Sequence, residues 1–98
     1  MEIACSLDAD QTRLRASDWH ALARSVVGVE RSDQTLTVLF DNAVRDEVSR
    51  LVVAEQECCG FATWELAEDG DQIVLTISGD EFGVAALAES LSAWGLAP

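Results

Sequence analysis

Two of the three cysteines in this chain, Cys58 and Cys59, are adjacent, and Glu55 precedes them by three and four residues. Thiols bind zinc, copper(I), mercury(II) and other soft or borderline cations, and a carboxylate one helical turn away can serve as a further ligand or as a hydrogen-bond acceptor behind the thiols. The pair stands at the end of an apparent helix, directly before Gly60. There the negative end of the helix dipole and the Glu55 carboxylate both raise the cost of a free thiolate, which favours a bound cation over a nucleophilic or redox-catalytic cysteine. No C-x-x-C spacing occurs, which weakens a thioredoxin-like reading.

The helix that positions Glu55 is expected from Ala43 to Cys59, capped by Asp41 or Asn42 and stopped at Gly60. At about 100° per residue, Val44, Val48, Leu51 and Val52 form its apolar stripe, with Cys58 and Cys59 on opposite flanks and Glu55 near the middle. Glu57 points to water. A carboxylate at the centre of a core-facing stripe is costly unless it is near the surface, hydrogen-bonded, protonated or bound to a cation. Glu55 is therefore the least ordinary residue in the chain.

The other elements follow from periodicity and punctuation. Ile3, Cys5 and Leu7 alternate as a short half-buried strand, with Cys5 pointing into the core. A helix is expected from Asp8 to about Val27, with Ser17 as a possible restart, Trp19, Leu22, Ala23 and Val26 on its apolar side, Arg13, Arg15 and Arg24 mostly opposite, and Gly28 as its stop. Two hairpins, Val29–Ser32 with Thr35–Phe40 and Ala62–Ala67 with Gln72–Ser78, frame the second helix. A last helix runs from Glu81 to about Trp94, and the tail from Gly95 is expected to fray. The order predicts an α+β fold: a ferredoxin-like βαββαβ plan with an added C-terminal strand and helix, or, as the alternative, two αββ units duplicated on one antiparallel sheet. The ferredoxin-like plan brings Cys5 to the end of the second helix, so that Cys5, Cys58, Cys59 and Glu55 form one cluster. His20 joins it only if the first helix restarts at Ser17.

Composition limits the functions open to this domain. The 98 residues are 49% apolar and make a single domain, residues 1–98, with no apolar run near the roughly 18 residues that span a bilayer. Eighteen acids face six bases, all arginine, for a net charge of −12, which excludes nucleic-acid binding by this chain alone and disfavours anionic membranes. The first residues carry no basic and apolar export signal, so a cytoplasmic setting with reduced cysteines is expected. A disulfide from Cys5 to Cys58 or Cys59 is left open, as is a homodimer.

Glu55-Gln56-Glu57-Cys58-Cys59-Gly60-Phe61, preceded by Leu51-Val52 and followed by Ile73-Val74-Leu75-Thr76-Ile77-Ser78-Gly79, resembles a largely uncharacterised group of small bacterial proteins and domains with an E-x-E-C-C-P/G-F motif. Ile3-Ala4-Cys5-Ser6-Leu7 and Asp18-Trp19 fit the same group, although Gly60 stands where proline is commoner. Some members are loosely associated with heavy-metal-responsive regulators. The resemblance implies Cys5, Glu55, Cys58 and Cys59 as the site; the chain shows no DNA-binding helix-turn-helix to accompany it.

The leading expectation is a metal-binding module that holds a soft cation through Cys5, Cys58 and Cys59, with Glu55 as fourth ligand or acceptor behind them. Its rival is a non-enzymatic interaction or dimerisation domain whose cysteines only pack. An enzyme using Glu55 as a buried acid-base group is the weaker third reading, and no catalytic residue is assigned.

Overall fold

The computed structural model describes residues 9–58 and 62–96, with side chains over 13–57 and 62–96. The expected first strand, Ile3 to Leu7, lies outside the described residues. Helix α1 is Ala9–Ala21, followed by a 3₁₀ turn at Ala23–Ser25 and the hairpin β1 (Val26–Arg31) and β2 (Thr35–Asp41). A second 3₁₀ turn, Asn42–Val44, leads into α2 (Arg45–Cys58), then β3 (Thr63–Asp69), β4 (Gln72–Ser78) and α3 (Glu81–Ala93). Among the described residues the fold is α+β, a four-stranded antiparallel sheet in the order β1-β2-β4-β3 with three α-helices.

Alternation decides which face of the sheet is closed. Leu36, Val38 and Phe40 of β2 and Ile73, Leu75 and Ile77 of β4 are all buried, while the residues between them are half-exposed. The register sets Leu36 against Ile77, Val38 against Leu75 and Phe40 against Ile73, so each apolar side chain meets another across the central pair. Trp64 extends the row beside Ile77, and Leu66 beside Leu75. Val48, Leu51 and Val52 of α2 and Val84, Leu87, Ala88 and Leu91 of α3 close the core over this face.

Caps and turns fix the ends. Asp41 accepts from the Ala43 amide at 2.9 Å, as expected of a cap. Asp80 accepts from the Gly83 amide at 2.7 Å and starts α3. Gly70 has φ 61°, the left-handed value the β3–β4 turn requires.

Three expectations need correction. The first helix ends at Ala21, not near Val27, because the β-branched pair Val26-Val27 is drawn into the sheet. Gly28 therefore does not stop a helix; it lies in β1 at a register shift, where an added Cβ would come within 3.2 Å of a Leu39 methyl. The tail does not fray at its start. Gly95, at φ 82°, turns the chain so that the Leu96 amide donates to the Leu91 carbonyl at 2.8 Å and the Gly95 amide to that of Ser92 at 3.0 Å, and Leu96 is buried.

Candidate functional site

Glu55 is buried, 3% exposed, on the core-facing stripe of α2 where the 100° periodicity put it. Its partners among the described residues include two from α1. The Trp19 indole Nε1–H donates to Glu55 Oε2 at 2.7 Å, and Arg15 Nη1 lies 3.0 Å from Oε1. The Arg15 N–H is not aimed at that oxygen, so the contact is an ion pair without a hydrogen bond. Arg15 and Trp19 are one helical turn apart on α1, a spacing that presents both donors to one carboxylate. Arg15 was expected on the outer side of its helix; its stem follows the packed surface and leaves the side chain 18% exposed.

Aromatic rings wall the pair. Trp19 is fully buried and stacks on Trp94 at 5.9 Å between centroids and on Trp64 at 6.5 Å. The Gln56 side-chain amide donates to the Trp64 carbonyl at 2.8 Å, tying the last turns of α2 to the start of β3. The Trp64 indole Nε1–H is buried and has no acceptor among the described residues. Such a donor carries an unrecovered desolvation cost of about 1–3 kcal/mol.

Two ion pairs join the helices: Asp18 lies 3.8 Å from Arg50 and Arg15 3.0 Å from Glu55, so residues 15–18 of α1 pack against residues 50–55 of α2. Cys58 is only about 4.5 Å of helical rise beyond Glu55.

His20 takes no part. Helix α1 is unbroken through Ser17, and the His20 Nδ1 lies 2.8 Å from the Trp94 carbonyl oxygen while its ring packs on Gly95. Cys5, Cys59 and the Cys58 side chain lie outside the described residues, and among the described residues no group of three or more His, Cys, Asp or Glu side chains is placed to hold a metal. No described helix is long and apolar enough to cross a membrane. Comparison with family models, with curated proteins and with solved structures gave no match.

Sequence reasoning placed Glu55 on the core-facing stripe and missed what holds it. The available signal was the requirement itself: a buried carboxylate needs donors, and Arg15 with Trp19, four residues apart, is a pair of donors on the preceding helix.

Proposed function

We propose that the chain is a small cytoplasmic module that captures a soft or borderline cation at the C-terminal end of α2, through Cys58 and Cys59 with Cys5. The observation that carries this reading is the buried Glu55 carboxylate, held by Trp19 and Arg15 one helical turn before Cys58 and Cys59. Cys5 is four residues before Ala9, within about 14 Å of the start of α1.

The geometry favours an outer role for Glu55 over that of fourth ligand. One oxygen accepts from Trp19 and the other faces Arg15, so a direct bond to the cation would compete with a guanidinium. Held in place, the carboxylate is a fixed acceptor and a partly compensated negative charge one helical turn before the two cysteines. Trp64, tied to the same turn of α2 by Gln56, adds an indole N–H that lacks an acceptor among the described residues.

For the finer topology we propose the duplicated αββ arrangement over the ferredoxin-like one. The central β2–β4 pairing, symmetric about Val38 and Leu75, supports it.

Thiol accessibility tests the function. In the folded, reduced protein, Cys58 and Cys59 are expected to react with a thiol reagent and to be protected by zinc, copper(I) or mercury(II). Thiols inert before any metal is added point instead to cysteines that only pack.

A further inference from the structure

Among the described residues, the two outer strands of the sheet are unlike in charge. β3, at one edge, carries the exposed acids Glu65, Glu68 and Asp69. β1, at the other, opens with Val26-Val27-Gly28-Val29 and borders an apolar groove whose walls include Ala23, Val26, Val29 and Leu96. Val27 is 54% exposed there. A strand edge with apolar side chains is a template for pairing with another chain, and charge on the edge is the usual protection; β3 has that protection and the first four residues of β1 do not.

We propose that β1 is a dimerisation edge on which a second copy of this chain pairs antiparallel about a twofold axis, joining two sheets into one. Charge selects this occupant. The chain as a whole is strongly acidic, with a net charge of −12, and would repel its own copy across most surfaces. Around β1 the exposed charges are nearly balanced and divided by end: Arg24 precedes the strand, while Glu30, Arg31 and Asp33, with Glu81 beside Asp33, lie at and beyond its far end. The leading end is thus basic and the trailing end is net acidic. Antiparallel pairing about a twofold sets the leading end of each copy against the trailing end of the other, so Arg24 of each copy faces the Glu30 and Asp33 end of its mate twice over. Val27 and the groove are covered in the same step.

Sedimentation of the full chain in reducing buffer, from micromolar to millimolar concentration, tests the proposal. The wild type is expected to reach a dimer and Val27→Glu to remain a folded monomer by circular dichroism. Arg24→Glu and Asp33→Arg should each weaken association by roughly tenfold, because the twofold counts each substitution twice. The combined swap Arg24→Glu/Asp33→Arg should regain it, and Glu65→Arg on the β3 edge should leave it unchanged. A wild type that stays monomeric up to millimolar concentration overturns the proposal, including one that binds some other protein along β1. A dimer indifferent to Val27→Glu, or a swap that does not recover, overturns it as well.

Discussion

Helices α2 and α3 cover the same face of the same sheet, yet they do it with different chemistry. α3 buries Gly83, Val84, Leu87, Ala88 and Leu91, without a charged group among them. α2 buries Val48, Leu51, Val52 and a carboxylate, Glu55. Apolar side chains suffice to seat a helix on this sheet, as α3 demonstrates. Glu55 is therefore surplus to packing, and keeping it buried requires Arg15 and Trp19 as partners on a second helix. Replacing a buried ion pair with apolar groups of similar volume is often neutral or stabilising, so the pair is weak evidence for a purely stabilising role.

The comparison breaks most severely at Trp19, which serves both helices: it donates to Glu55 and stacks on Trp64 and Trp94. Trp19→Ala is expected to cost about 3–5 kcal/mol in urea unfolding, because it empties a fully buried indole volume and removes a donor from the carboxylate. A loss below about 1 kcal/mol would show that the aromatic stack is not the support of this end of the molecule.

A double-mutant cycle sharpens the contrast between the helices. Glu55→Leu should cost about 1–3 kcal/mol, less than for a fully buried pair because Arg15, 18% exposed, can reach solvent. Arg15→Leu should cost a similar amount by leaving the carboxylate buried without its cation. Arg15→Leu/Glu55→Leu, which gives α2 an apolar stripe like that of α3, should recover most of the loss. If the two single losses simply add, the ion pair carries no coupling and the assigned geometry is wrong.

Legibility followed the strength of the local signal. β4 was readable to the residue, because Ile73, Leu75 and Ile77 alternate strictly and Gly70 marks the turn before them. Glu55 was readable because the stripe on α2 is regular. The end of α1 was not: Leu22, Ala23 and Val26 continue a helical period, and only the strand pairing of Val26 opposite Phe40 shows that sheet formation prevails over it. Arg15 was misplaced for a related reason. A long amphipathic side chain on the flank of a helix reads as exposed, and its turn toward α2 is set by a tertiary partner 40 residues on. Leu96 was missed because a closing turn at Gly95 needs the helix it folds back upon.

Metal stoichiometry and affinity of the reduced protein under anaerobic conditions, wild type against Cys58→Ser/Cys59→Ser and Glu55→Gln, test the central claim most directly. The account predicts one tightly held zinc, copper(I) or mercury(II) ion per chain, lost in the double serine variant, and retained in Glu55→Gln with affinity lower by about 10–100-fold, as expected for an outer group. Binding by the wild type no tighter than by the double serine variant would contradict it.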